Sequence, residues 1–322
     1  MNNTFHPPVI TLQYKVFYLF ISTIGILGNS AIVYVTFRSR NRKLRSVCNI
    51  FIALVSAGDV LHHIGQYLMI ATHDLSVTHF ITNKDCAMLQ FLPLFGICFS
   101  SFLLLNVAID RLAAITIFYR KFEGHHKLYL LIQILPATLF ATTISSLTLV
   151  QRSSEKQVFC IVTQAMHRDL DRICFFVINT VSIIIILCYV IFLILIRKSG
   201  IADKSIRNVC RSVLLVSVTV AFGWFGTSAI IVGYHLLPID VTIEKLELTA
   251  GLFVNTACAS NFFFYYFVSS DYRYTFNEHF RLDSIIRIAK TNFVKDTYPS
   301  RVLVTISTMP AKEQVETAIR GL

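Results

Sequence analysis

Apolar residues run along this chain in seven long blocks, and the polar residues gather in the stretches between them. A helix needs roughly 20 mainly apolar residues to cross a bilayer. The runs at 15–37, 47–71, 88–118, 128–150, 173–196, 209–237 and 246–268 meet that requirement. Inside a membrane the backbone has no water to bond, so each run must close its own hydrogen bonds as a helix. A membrane β-barrel would show short alternating segments instead, and the pattern has none. The pattern therefore predicts an all-α membrane protein: a seven-helix bundle over 15–268 behind a short polar tail at 1–14. Phe276 and Phe280, four residues apart among basic residues, predict an amphipathic helix over 269–290 lying on the membrane surface. A polar, Ser/Thr-rich tail follows over 291–322.

Composition agrees with the pattern. The chain is 55% hydrophobic and 15% charged, where a soluble domain carries about 25% charged residues. The net charge of +11 does not point to nucleic acid, because the basic residues are split among short connections between apolar runs. They do set an orientation. Arg38, Arg40, Arg42, Lys43 and Arg45 lie in the first connection, Arg120, Lys121 and Lys127 in the third, and Arg197, Lys198, Lys204 and Arg207 in the fifth. The even connections mix signs or lean acidic. The positive-inside rule then puts the N-terminus outside and the tail in the cytoplasm. No basic region precedes the first run, so the first helix is expected to act as the insertion signal rather than a cleaved peptide. Asn2-Asn3-Thr4 is a glycosylation acceptor in the outer tail.

Candidate chemistry is sparse. The eight cysteines offer no Cys-x-x-Cys or Cys/His spacing for a metal framework. Asp59 sits mid-way along the second run, with His62 and His63 three and four residues on. Ionisable groups at such depth face the bundle interior and mark function. Asp59 reads as a switch centre or as a hydrogen-bonded packing carboxyl. His62 and His63 read first as satisfied bundle histidines, and second as the floor of a ligand cavity or as proton sensors. These three groups are too few to line a channel, and on one helix face they surround no hydrolytic centre. An enzyme is therefore not expected; a ligand-gated channel or carrier, and behind it a membrane hydrolase, remain the rival readings. There is no internal repeat of the transporter kind. The N-tail is too short to fold, so any ligand site must lie in the bundle or its outer connections.

Several short motifs resemble those of rhodopsin-like G-protein-coupled receptors. They are Gly28-Asn29 in the first run, Asn49 to Asp59 in the second, and Cys86 to Asp110-Arg111-Leu112 around the third. Phe222-Gly223-Trp224-Phe225-Gly226 follows in the sixth run, and Asn261-Phe262-Phe263-Phe264-Tyr265 in the seventh. They stand in the family's order and on the matching runs. A narrower resemblance, carried by 43–50 with 59–66, 89–96 and 109–111, is to the nematode serpentine chemoreceptors of class Sx. The fourth-run tryptophan and the fifth-, sixth- and seventh-run prolines are absent, with Val181, Gly226 and Phe262 at the proline positions. Helix bends are therefore expected at Gly223, Gly226 or from packing.

The resemblance implies a plasma-membrane receptor of sensory neurons that binds a small molecule or short peptide and activates a heterotrimeric G protein. It implies a ligand wall of Gln90, Leu94, Ile97, Trp224, Thr227, Ile231, Tyr234, Gly251 and Asn255. Pro93 stands where amine receptors carry an acid, which disfavours a monoamine anchored there. Topology and the oxidising exterior imply a disulfide between Cys86 and Cys160. Activation would run through Asn29, Asp59, Trp224, Asn261 and the inner face. There Asp110 would hold Arg111 until its release toward Tyr189 and Tyr265. Phe118 or Tyr119 would touch the G protein. Asp59, Ser100 and Asn261 could ring a sodium ion; no other cofactor is implied. An arrestin and a receptor kinase would act on the tail.

Overall fold

The computed structural model describes residues 10–39, 44, 46–115, 126–199, 204–236 and 241–280. Asn2, Phe118, Tyr119, residues 281–290 and the tail at 291–322 lie outside them. The elements are α1 (Leu12–Arg38), α2 (Val47–Leu75), β1 (Ile81–Thr82), α3 (Asn83–Leu89), α4 (Phe91–Ile115) and α5 (His126–Val150). They continue with β2 (Gln157–Val158), α6 (Val162–Ala165), α7 (Arg168–Ser199), α8 (Lys204–Leu236), α9 (Ile243–Ala259), α10 (Asn261–Val268) and α11 (Ser270–Phe280). Among the described residues six helices, α1, α2, α4, α5, α7 and α8, are long and apolar enough to cross a membrane. The seventh run is divided: α9 and α10 meet at Ser260. The protein is an all-α, multi-pass membrane protein.

The break at Ser260 needs no proline. Its backbone N–H is shared between the carbonyls of Thr256 and Ala257 at 3.1 and 3.2 Å. Its hydroxyl donates to the Ala257 carbonyl at 2.7 Å. A hydroxyl that captures a backbone carbonyl competes with the helical ladder and bends it. The third run also differs from one straight helix, since α3 ends at Gln90 before α4 begins.

Polar hydroxyls sit in these helices without penalty because they bond backward. Thr36, Thr148, Ser182 and Thr227 each donate to the carbonyl four residues earlier at 2.8–3.0 Å, which satisfies them where water is absent. Large apolar side chains such as Phe20, Leu27, Phe222 and Phe267 stand exposed on the bundle surface, as lipid-facing residues should. The helices α2 and α4 cross closely at facing glycines. A Cβ added to Gly58 would lie 2.8 Å from the Gly96 carbonyl, so small residues let the two backbones meet.

One end of the bundle is closed by β1 and α3 together with the connection from α5 to α7. Strands β1 and β2 pair antiparallel, with Ile81 opposite Val158 and Thr82 opposite Gln157. Cys86 of α3 is disulfide-bonded to Cys160. Asn83 reinforces this join by donating to the carbonyls of Gln164 and Ala165, both at 3.1 Å. A compact unit extends to Arg273 and a second begins at Tyr274. In the second, Phe276 and Phe280 stack with ring centroids 6.3 Å apart on one face of α11.

Candidate functional site

The disulfide shapes a cavity. By tying Cys160 to α3 it holds Ile161, Val162 and Thr163 over a space of about 230 Å³ between α1, α2, α4, α7, α8 and α9. The middle of the wall is apolar, with Ile97, Phe175, Val254 and the ring of Trp224. Phe175 meets Trp224 edge-on at 6.3 Å, an arrangement aromatic quadrupoles favour. The mouth carries charge: Asp171 and Arg172 from the start of α7, and Glu247 from the start of α9. Gln164 donates to Glu247 at 2.8 Å, which fixes that carboxylate beside the cross-linked connection.

Six residues of the expected wall line this cavity: Ile97, Trp224, Thr227, Ile231, Gly251 and Asn255. Gln90, Leu94 and Tyr234 do not. Gln90 is buried and donates to the carbonyls of Gly65 and Cys160 at 3.3 and 3.2 Å, so it clamps α2 to the cross-linked connection. Leu94 is enclosed. Tyr18, Gln66, Asp171 and Glu247 also line the space without having been expected there. Tyr18 could not be read as a wall residue because it comes from the first helix. Its hydroxyl donates to the Leu248 carbonyl at 2.6 Å, which locks α1 to α9.

The floor departs from the first reading of the histidines. Neither nitrogen of the His62 ring, nor of the His63 ring, has a hydrogen-bond partner among the described residues. The two rings lie 5.7 Å apart. His63 packs directly on Gly25, where an added Cβ would overlap the ring. His62 lines the cavity beside Asn255. Asn255 gives its amide N–H to the Gly251 carbonyl at 2.8 Å and leaves its Oδ1 unpaired; Trp224 Nε1 is unpaired as well.

Below the floor three of the residues expected to form the switch, Asn29, Asp59 and Asn261, come together. Asn261 donates to Asp59 at 2.7 Å and to the Oδ1 of Asn29 at 3.4 Å. Asn29 donates to the carbonyls of Gly25 and Cys258 at 2.9 and 3.1 Å. Ser100 and Cys258 also face Asp59. Donors thus crowd the carboxylate, and Asn261 presents its N–H.

At the far end of the bundle Asp110 is fully buried and bonded to the Arg111 guanidinium. Its other oxygen accepts from the Tyr129 hydroxyl at 3.0 Å. The clamp therefore takes a residue of α5 as well, which the motif Asp110-Arg111-Leu112 could not reveal. Tyr189 and Tyr265 are buried. Ser217 donates to Tyr189 at 3.4 Å, and the Tyr265 ring lies 5.1 Å from that of Tyr272.

A cross-linked lid over a cavity, a buried polar cluster and an Asp-Arg clamp thus share one bundle. The family model for Srsx, the serpentine type of seven-transmembrane G-protein-coupled chemoreceptor, matches residues 22–280. The chain belongs to this family. The Srsx match covers every feature just described except the start of α1. It makes the chain a receptor of chemosensory type and not an enzyme.

Proposed function

We propose that this Srsx chain binds a small extracellular molecule in the cavity under the Cys86–Cys160 lid and activates a heterotrimeric G protein. The observation that carries the reading is the pairing of two features on one bundle. One end holds a lined cavity; the other holds Arg111 restrained by Asp110. The volume of about 230 Å³ lies under the roughly 300–1,000 Å³ of drug-sized pockets, which favours a small molecule over a peptide. The mouth faces the cell exterior, and the clamp and tail face the cytoplasm of a sensory neuron. Trp224 lies on the cavity wall and moves with ligand contact. The Asp59–Asn261 cluster transmits the movement, and Arg111 leaves Asp110 for Tyr189 and Tyr265 and opens the G-protein site. Arrestin and a receptor kinase act on the tail. No step passes through sodium.

Ligand shifts the equilibrium only through different affinity for the two states, and by linkage the G protein must tighten ligand binding. The test is G-protein activation in cells expressing the chain, screened with small chemicals, beside Arg111→Ala at matched surface expression. Loss of a chemical response in Arg111→Ala supports the reading. A ligand-driven current that survives the substitution would replace it with the channel reading.

A further inference from the structure

The cavity floor holds polar atoms that make no hydrogen bond among the described residues. His62, 6% exposed, has two ring nitrogens without a partner among the described residues; Asn255, 4% exposed, has a free Oδ1; Trp224 has a free Nε1. All three side chains line the same space, and they come from three helices, α2, α8 and α9. Buried polar atoms are nearly always paired, and an exception calls for a partner the protein itself does not supply. A turn of Asn255 onto one His62 nitrogen would still leave the other nitrogen and Trp224 Nε1 open. A neutral imidazole offers one donor and one acceptor, and the indole offers only a donor. The floor therefore asks for a group that both donates and accepts.

The group must also be uncharged. The charged lining residues, Asp171, Arg172 and Glu247, belong to the mouth. Glu247 precedes Asn255 by eight residues, about 12 Å of helix. Asp59, below the floor, is already engaged by Asn261 at 2.7 Å. A charge at the floor would be buried with no counter-ion. The wall above it, with Ile97, Phe175 and Val254, is apolar.

Resting on the cavity as the ligand site, we infer that the ligand is a small uncharged amphiphile. Its hydroxyl or primary-amide head bonds His62 and Trp224 at the floor, and its apolar body lies against α4 and α7.

Trp224 is the chain's one tryptophan, so its emission reads occupancy of this site in the purified full chain. The experiment titrates a medium-chain 1-alkanol and the methyl ether of the same length, which accepts but cannot donate. The alcohol should shift Trp224 emission saturably, with a midpoint about tenfold lower than the ether, the worth of one added hydrogen bond. His62→Phe should bring the two midpoints together, and His62→Gln, which keeps a donor and an acceptor, should keep them apart. Equal midpoints in the unsubstituted chain would overturn the head-group assignment and leave the cavity as the ligand site. No emission change with any probe, alcohol or ether, would overturn both.

Discussion

Helix α2 carries two polar groups less than one turn apart whose fates are opposite. Asp59 and His62 are equally enclosed, at 2% and 6% exposure. Asp59 is met by Asn261, with Asn29, Ser100 and Cys258 around them. Neither nitrogen of His62 makes a hydrogen bond among the described residues, although Asn255 faces the ring. The difference lies in what α9 and α10 present. At the level of Asp59 the break at Ser260 opens the helix and lets Asn261 turn inward. At the level of His62 the helix is regular, and Asn255 spends its amide on Gly251. Completed polar clusters hold helices in register; incomplete ones facing a space await a ligand. Burial alone does not separate the two, but partnership does.

The largest effect should come from breaking the cluster around Asp59, whose carboxylate is partnered even though Asn261 Oδ1 has no partner among the described residues. Asp59→Ala removes the acceptor of the Asn261 amide and leaves a small void. The orphaned donor and the void together should cost on the order of 3 kcal/mol, read as a fall in melting temperature of the detergent-solubilised chain. His62→Phe, by contrast, replaces two unpaired nitrogens with an apolar ring of similar shape. It should leave the melting temperature unchanged or raise it. If the two substitutions destabilise equally, the distinction between completed and incomplete clusters is wrong.

A middle-sized effect should come from His63. This ring is as poorly bonded as His62, but it faces Gly25 rather than the cavity. Gly25→Ala should push a methyl into the ring and cost about 1–3 kcal/mol as overpacking. His63→Val should return most of that loss in the double variant, because neighbours in contact are not additive. If Gly25→Ala is as stable as the unsubstituted chain, α1 and α2 do not meet as closely as drawn.

The sequence made the helices legible and left their interruptions hidden. Seven apolar runs named seven crossings, because hydrophobic length is read directly from residue type. The break at Ser260 depends on one hydroxyl reaching Ala257, and a serine in an apolar run does so only in some contexts. The cavity followed the same rule. Ile97, Trp224, Thr227, Ile231, Gly251 and Asn255 line one cavity, while Gln90, Leu94 and Tyr234, expected beside them, do not. Glu247, near the start of the seventh run, is tied to Gln164, a partner that residue type alone does not reveal. Orphaned nitrogens on His62 cannot be read from sequence at all, since they depend on which faces of three other helices turn toward it. Tyr129, the second partner of Asp110, was silent for the same reason.

The smallest effect belongs to the rim, where partners exist but water competes with them. Lys15 meets Asp74 at 2.5 Å, and Asp74 also accepts from His73 Nδ1 at 2.8 Å. His73 Nε2 accepts from the Ile10 backbone N–H at 3.3 Å, which requires a neutral ring with its proton on Nδ1. Asp74 thus holds His73 in the tautomer that anchors the start of α1. Its side chain is 45% exposed and that of Lys15 26%, so removing the lysine alone should cost less than about 1 kcal/mol. Lys15→Ala should lower the melting temperature slightly in low salt. The gap should close near 1 M salt, where the screening length falls to about 3 Å. His73→Phe should cost more and should not respond to salt, because what it orphans is a backbone N–H rather than a charge. A salt-independent loss in Lys15→Ala would mean that the lysine stem packs against the rim and that its charge is incidental.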